Sequence, residues 1–186
     1  MRIIAGRNRG LRLASVGKGD TAAHLRPTTD RVRESLFNVL MGGAHGDPIS
    51  GARVLDLFAG TGALGLEALS RGAAQVTFVD DGPKALGLIR QNIKLCRAGD
   101  DTAVMRRNAT RLGDNPGAPF DLVFLDPPYG KGLGEKALGA ARTGGWLADG
   151  ALVVVEENHP VAPTEFRVLD SRRYGETHIT LLDATP

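Results

Sequence analysis

A short apolar run ends directly in a turn of closely spaced glycines, and this junction constrains the fold more than any other part of the chain. Residues 54–58 read Val-Leu-Asp-Leu-Phe, which is typical of a strand buried on both faces. Gly60, Gly62 and Gly65 follow in the pattern of a strand-to-helix turn, and a helix is predicted over 63–71. Glycines here let backbone N–H groups approach a ligand. The junction therefore predicts a ligand site at the end of this strand.

The rest of the chain continues the alternation of apolar runs and amphipathic segments. Further strands are predicted at 75–79, 102–106, 121–125 and 151–156, helices at 83–96 and 134–142, and a closing hairpin from the runs 165–169 and 178–182. Continuous apolar strands that alternate with helices indicate an α/β fold. We therefore predict a mainly parallel, seven-stranded sheet with helices on both faces and a C-terminal antiparallel hairpin.

The first forty residues differ from the rest in charge. They hold eight Arg or Lys and three Asp or Glu, whereas the whole chain holds 23 and 21. A basic surface of this kind is typical of proteins that bind polyanions such as nucleic acids. An ordinary solvated surface is the alternative.

Two predicted elements make up this basic part. Apolar runs at 2–5 and 11–14 predict a hairpin with an arginine-rich turn, and spacing predicts an amphipathic helix over 28–41, with Asp30 available to cap it and Arg31 and Arg33 off its apolar stripe. A glycine-rich stretch then breaks the pattern. We therefore predict an appendage over 1–46 and a main domain over 47–186.

Two carboxylates flank the glycine turn. Asp80 ends the second predicted strand, twenty positions after Gly60, where it can accept hydrogen bonds from ribose hydroxyls. This position predicts a cofactor with a nucleoside, either a nicotinamide or flavin dinucleotide or S-adenosylmethionine. Asp56 favours S-adenosylmethionine, because a carboxylate before the glycines repels a pyrophosphate and attracts an ammonium group. An ordinary turn or capping role for Asp56 is the alternative.

The tetrapeptide Asp126-Pro127-Pro128-Tyr129 follows the fourth predicted strand. Prolines end strand pairing and fix the backbone, so the Asp126 carboxylate and the Pro127 carbonyl can face a ligand at the end of the strand. Two such acceptors can hold the N–H groups of a nucleobase amine and aim its lone pair at a methyl donor. Tyr129 supplies a ring on which an unstacked base can lie. A rigid turn without chemistry is the alternative.

These segments resemble a known family. Residues 56–62, Asp80 and residues 126–129 are similar to the cofactor pocket and the amino-methylating motif of class I methyltransferases. Together with segments 2–6, 26–38 and 54–68, they resemble the bacterial 16S ribosomal RNA guanine-N2 methyltransferase D family, over essentially the whole chain.

The resemblance implies a Rossmann-like class I methyltransferase fold, with S-adenosylmethionine as methyl donor and S-adenosylhomocysteine as product. It implies as acceptor the N2 amine of one guanine in 16S rRNA, in an assembled or assembling small ribosomal subunit. The cofactor-binding residues that it implies are Asp56, Phe58, Gly60, Gly62, Asp80, Asn108 and Ala109. Such enzymes often have Asp-Ala where this chain has Asn108-Ala109, and an Asn can still accept a hydrogen bond from the adenine amine. Asp126, Pro127 and Tyr129 would hold the guanine, and Arg7, Arg9, Arg31 and Arg33 are the predicted phosphate ligands.

Other predictions concern location, metals and partners. The chain has four His without ligand spacing and one Cys, so we expect no metal site. No apolar run is long enough for a membrane span or a secretory signal, so we expect a cytoplasmic protein, and a monomer is assumed. Adenine-N6 methylation of DNA, an NAD(P)-dependent oxidoreductase and an RNA-binding module without chemistry are the competing functions.

Overall fold

The computed structural model describes residues 1–15, 29–43 and 46–185. Residues 26–28, which belong to a segment used for the family resemblance, lie outside the described residues, as do His24 and His45. The strands are β1 (Arg53–Leu57), β2 (Gln75–Asp80), β3 (Thr102–Arg106), β4 (Phe120–Leu125), β5 (Leu147–Glu157), β6 (Arg167–Tyr174) and β7 (Thr177–Asp183). They form one sheet in the order β3-β2-β1-β4-β5-β7-β6.

The strand directions confirm the predicted fold class. Strands β1 to β5 are parallel, and β7 lies antiparallel between β5 and β6. The closing hairpin is confirmed, but β6 is longer than the predicted run 165–169 and continues to Tyr174. Most residues of β6 are exposed, because it is an edge strand. Polar residues can therefore pair along this strand, and the sequence has no apolar pattern there that would predict its length.

Helices cover both faces of the sheet. They are α1 (Asp30–Met41), α2 (Ala63–Ser70), α3 (Pro83–Cys96) and α4 (Leu133–Thr143). On the first face, α1, α2 and α3 pack on an apolar cluster that includes Phe37, Phe78 and Phe124. On the second face, α4 packs on a cluster that includes Val123 and Trp146. This arrangement confirms the prediction of a sheet covered on both sides.

The two ends of the strands define two edges of the sheet. We call the edge at which β1 to β5 end, at Leu57, Asp80, Arg106, Leu125 and Glu157, the carboxyl edge, and the other the amino edge. The helices α2, α3 and α4 begin at the carboxyl edge and end at the amino edge, because each follows a strand and returns along the sheet. Ligands of open parallel sheets bind at the carboxyl edge.

The N-terminal segment lies along α2 and α3. The backbone N–H of Ile4 donates to the buried carboxylate of Glu67 at 2.7 Å, that of Asn8 donates to the Ser70 hydroxyl at 2.9 Å, and that of Ala14 donates to the Asn92 side chain at 2.7 Å. The chain thus runs towards the amino edge, turns there, and returns. A Cβ on Gly6, at the start of this turn, would lie 1.8 Å from the Ser70 carbonyl oxygen.

The first helix, α1, shares the main apolar core. Its cap is Thr29, whose hydroxyl accepts from the Val32 N–H at 3.3 Å, and not Asp30 as predicted. Phe37 packs against Phe124 of β4, with ring centroids 5.8 Å apart. The boundary between 1–46 and 47–186 stays a prediction, but in the described residues the two parts are packed in one cluster.

Candidate active site at the carboxyl edge

The glycine turn after β1 adopts a backbone that ordinary residues avoid. Gly60 and Gly62 have φ values of +58° and +76°, and Phe58 has +58°. For a bulky residue such as Phe58, this left-handed conformation costs on the order of 1–3 kcal/mol, and such residues cluster at functional sites. The turn leads directly into α2, so the N–H groups at the start of this helix lie at the carboxyl edge, as the sequence predicts.

Asp56 lies beneath this turn and is enclosed by it. Its Oδ2 accepts a hydrogen bond from the Gly65 N–H at 2.9 Å, and the residue is 1% exposed. Burial raises the pKa of Asp56 to about 8, and the charge of Asp80 also raises it, while the bond from Gly65 lowers it. The carboxyl group thus anchors the start of α2, and its predicted contact with an ammonium group stays a prediction.

Asp80 accepts hydrogen bonds from two loops, the one after β1 and the one after β2. Its Oδ2 accepts from the Gly60 N–H at 2.9 Å, and its Oδ1 accepts from the Gly82 N–H at 2.8 Å. Burial raises the pKa of Asp80, and the two backbone hydrogen bonds oppose the rise. The structure therefore brings Asp56, Asp80 and the glycine turn together, as the sequence predicts.

Asn108 begins a short 3₁₀ helix, Ala109–Arg111, that the sequence did not predict. Its side-chain oxygen accepts from the backbone N–H and the hydroxyl of Thr110, at 2.9 and 2.6 Å, and its amide donates to Asp81 at 2.9 Å. Both lone pairs of that oxygen are thus used within the chain. Asn108 and the buried Ala109 lie at the carboxyl edge, but the oxygen expected to accept from an adenine amine is already used.

The tetrapeptide 126–129 lies beside the glycine turn. Strand β4 is the neighbour of β1, and the Asp126 N–H points to the Leu57 carbonyl oxygen at 3.5 Å. Asp126 is partly exposed, whereas Pro127 is buried. The acidic group expected to hold a base and the turn expected to hold a cofactor therefore follow two adjacent parallel strands at the same edge.

Tyr129 is anchored through its hydroxyl. The hydroxyl donates to Oε1 of Glu156 at 2.9 Å and lies 3.2 Å from the Thr177 hydroxyl. Burial raises the pKa of Tyr129, and the Glu156 carboxylate raises it further. The phenol thus stays protonated at neutral pH, and its partners fix the direction of the ring. Sequence reasoning missed Glu156 and Thr177; the signal for Glu156 was an apolar run ending in an acidic residue at the carboxyl edge.

The four predicted phosphate ligands lie in different places. Arg7 and Arg9 belong to the turn at the amino edge, where Arg7 forms an ion pair with Asp101 at 3.0 Å. Arg31 is exposed at the start of α1. The start of α1 is near the carboxyl edge, because Arg2 contacts Asp30 and the neighbouring Met1 contacts Thr61 of the glycine turn. Only Arg31 of these three is therefore on the side of the predicted active site.

The prediction that Arg33 lies off the apolar stripe of α1 is wrong. Its side chain is fully buried, and its Nη2 donates to the Arg2 carbonyl oxygen and to Asp30, the latter at 2.9 Å. Arg33 joins the N-terminal segment to α1. In this arrangement it cannot reach a phosphate.

The described part of the chain holds neither a cluster of metal-ligating side chains nor a membrane-spanning helix. In residues 1–15, 29–43 and 46–185, no group of three or more His, Cys, Asp or Glu side chains is arranged to hold a metal ion. Within the same residues, no helix has the length and apolar character needed to cross a membrane.

Comparisons with known proteins identify the family. The family described as "Conserved hypothetical protein 95" matches residues 1–183. "Ribosomal RNA small subunit methyltransferase D" of Escherichia coli strain K12 is 42% identical over 156 residues, which cover 84% of this chain and 74% of the relative. The protein of the same name from Haemophilus influenzae is 36% identical over 181 residues, covering 94% of this chain and 89% of the relative.

A solved structure agrees with these relatives. An Escherichia coli protein that carries the provisional name methyltransferase yhhF is 38% identical, with a TM-score of 0.82, and the match covers 100% of this chain and 98% of that one. The chain is a member of the ribosomal RNA small subunit methyltransferase D family.

Proposed function

We propose that this protein transfers a methyl group from S-adenosylmethionine to the exocyclic N2 amine of a guanine in 16S rRNA of the small ribosomal subunit. The observation that carries this proposal is the adjacency of the two predicted sites. Asp126 follows β4 and the glycine turn follows β1, and these strands are paired in register from Val54 with Leu122 to Leu57 with Leu125. A donor on the turn and an amine at Asp126 would therefore meet.

The residues at the turn fit the cofactor. Gly60 and Gly62 have positive φ values, and the Asp80 carboxylate, which accepts from the Gly60 N–H, would also accept from the ribose hydroxyls. Phe58 would contact the methionine part, and Asn108 and Ala109 would lie near the adenine. Asp56 would lie beneath the ammonium group, whose positive charge would lower the pKa of Asp56 from about 8 and favour its carboxylate form. When bound, S-adenosylmethionine supplies a methyl group on a positively charged sulfur and leaves as S-adenosylhomocysteine.

The tetrapeptide would prepare the amine for attack. The Asp126 carboxylate and the Pro127 carbonyl accept the two N–H groups of N2, so that the nitrogen lone pair turns towards the methyl group. The Tyr129 ring, held through its hydroxyl, stacks on the flipped base. N2 would become acidic once it is methylated, and Asp126 would take its proton. Position and electrostatics therefore supply most of the acceleration.

The proposed substrate is supported by the names of the relatives, which specify small-subunit ribosomal RNA. An assembled or assembling subunit in the cytoplasm and a monomeric enzyme complete the proposal. Arg31 would contact a phosphate near the flipped base. Arg7 and Arg9, at the opposite edge, could contact only a different part of the particle.

Label transfer tests this function. The protein is incubated with S-adenosylmethionine labelled in the methyl group and with small ribosomal subunits, naked 16S rRNA or DNA, and the product is digested to nucleosides. We expect label in N2-methylguanosine from the ribosomal substrate. Label in N6-methyladenine, or no transfer to any of the three, would contradict the proposal.

A further inference from the structure

Glu156 lies beside Asp126 at the carboxyl edge. The last registered pair of β4 and β5 is Leu125 with Val155, so the next residues are Asp126, directly after β4, and Glu156, in the adjacent parallel strand β5. Adjacent strands are about 4.8 Å apart. The backbones that carry the two carboxylates are therefore neighbours.

The two carboxylates also lie on the same face of the sheet. Phe124 and Val154, two residues earlier on each strand, belong to the cluster of the first face, and side chains alternate between faces. Tyr129 gives independent support, because its hydroxyl donates to Glu156. Burial raises the pKa of Tyr129, and the negative charges of Glu156 and Asp126 both raise it further, so both acidic groups lie near the phenol.

Glu156 is buried and fixed in place. The residue is 5% exposed, and the bond from Tyr129 orients its Oε1. A carboxylate has two oxygens, each of which can accept two hydrogen bonds. A carboxylate that is buried this deeply is costly unless hydrogen bonds compensate it. A ligand with N–H donors would add such compensation.

The Watson–Crick edges of guanine and adenine differ at the position beside the amine. Guanine carries an N–H donor at N1 next to the N2 amine, whereas adenine carries an unprotonated acceptor at N1 next to its N6 amine. An enzyme that flips a base reads this edge through hydrogen bonds. The Asp126 carboxylate, the Pro127 carbonyl and the Glu156 carboxylate would face this edge as a row of acceptors. Such a row complements adjacent N1 and N2 donors and repels an acceptor at N1.

We propose that Glu156 selects guanine by accepting a hydrogen bond from N1–H while Asp126 and Pro127 hold the N2 amine. This inference rests on the proposed function and adds to it the residue that distinguishes the two purines. An adenine in the same place would set its N1 lone pair against the carboxylate. A site built to bind an N–H group rejects an analogue that lacks it far more strongly than an apolar pocket could.

2-Aminopurine keeps the amine at C2 but carries an unprotonated N1. It also lacks O6, so the contribution of N1–H is read from the change in base preference between the wild-type protein and variants of Glu156. Once mapping of the undigested, labelled 16S rRNA has located the methylated guanine, small subunits are reconstituted with 16S rRNA that carries guanine or 2-aminopurine at that position. We expect the wild-type protein to prefer guanine by about 100-fold or more in kcat/KM. In Glu156→Gln, the amide can donate to the unprotonated N1, so this preference should fall by about ten-fold or more.

Two further variants distinguish an effect on the choice of base from a general loss of activity. Glu156→Asp keeps the acceptor and should keep the preference for guanine. Glu157→Gln, the matched change at the next residue and on the other face of β5, should leave the ratio unchanged whatever it does to the rate. Equal use of both bases by the wild-type protein, or an unchanged ratio in Glu156→Gln with both rates reduced alike, would overturn the inference. If the wild-type protein methylates neither base, the proposed function fails and the inference fails with it.

Discussion

Oδ2 of Asp80 accepts a hydrogen bond from the backbone N–H of Gly60 at 2.9 Å, which ties the end of β2 to the glycine turn after β1. The same carboxylate accepts from Gly82 at 2.8 Å, at the start of the loop that leads into α3. One side chain thus fixes the two loops between which a nucleoside would lie.

Asp80→Ala should weaken the binding of S-adenosylmethionine by about 10- to 100-fold, which corresponds to hydrogen bonds of about 1.5–3 kcal/mol to a charged group. The reason is that the ribose hydroxyls lose their acceptor and the turn loses its anchor. Titration calorimetry measures the affinity, and Asp100→Ala, an exposed acid outside the site, is the control. Equal affinities for the wild-type protein and Asp80→Ala would show that the cofactor does not use this carboxylate.

Asp56→Asn should remove a pH-dependent penalty on stability. The pKa of Asp56 is about 8 in the folded protein and about 3.9 in an unfolded chain, so between these values the folded state binds the extra proton. The contribution of Asp56 to the free energy of unfolding therefore falls as pH rises from about 4 to about 8, and stays low above that. Urea unfolding at pH 5, 7 and 9 should give a stability difference, Asn variant minus wild type, that grows with pH. A constant difference would mean that Asp56 ionises normally.

Gly65→Ala should destabilise the protein by about 1–3 kcal/mol through overpacking. A Cβ at Gly65 would lie 2.5 Å from Cε1 of Phe78, 2.7 Å from Cγ1 of Val76 and 3.0 Å from Oδ2 of Asp56. The matched change is Gly87→Ala in α3, where a Cβ meets nothing within 4 Å. That variant should gain up to about 1 kcal/mol from helix propensity. Equal urea midpoints for the two variants would contradict the close contact of α2 with β2.

Arg31→Ala should reduce the salt dependence of RNA binding more than Arg9→Ala. Arg31 is exposed near the carboxyl edge, whereas Arg9 belongs to the turn at the amino edge. Loss of one phosphate contact lowers the slope of log K against log salt by roughly 0.7–0.9 units. Filter binding to small subunits at several salt concentrations measures both slopes. A larger effect of Arg9→Ala would place the main RNA contact at the amino edge.

The sequence predicted the parallel sheet because strands that are buried on both faces consist of continuous apolar runs. The candidate sites were then predicted at the ends of these strands, where ligands of parallel sheets bind. The sequence predicted the extent of β6 poorly, since an exposed edge strand needs no such run. The position of Arg33 on α1 was predicted wrongly, and the spacing of the buried residues explains the error. Arg33, Leu36, Phe37 and Leu40 are spaced i, i+3, i+4 and i+7, so the arginine lies on the buried stripe of α1.

The partners of individual side chains were beyond the reach of sequence patterns. The bond from the Tyr129 hydroxyl to Glu156 joins the loop after β4 to the end of β5. The second partner of the Tyr129 hydroxyl, Thr177, belongs to β7 and lies 48 positions after Tyr129 in the sequence. Such contacts depend on the strand order, in which β7 is inserted between β5 and β6. Local spacing carries no information about that insertion.

Single-turnover methyl transfer by Asp126→Ala tests the central claim most directly, namely that Asp126 holds the attacking amine beside the cofactor. With protein in excess over small subunits and S-adenosylmethionine saturating, the rate of transfer to guanine should fall by about 10²- to 10³-fold, the loss expected when one such charge-stabilising contact is removed. Cofactor affinity should stay within a factor of about three, because Asp126 lies outside the glycine turn. A transfer rate close to that of the wild-type protein would contradict the account.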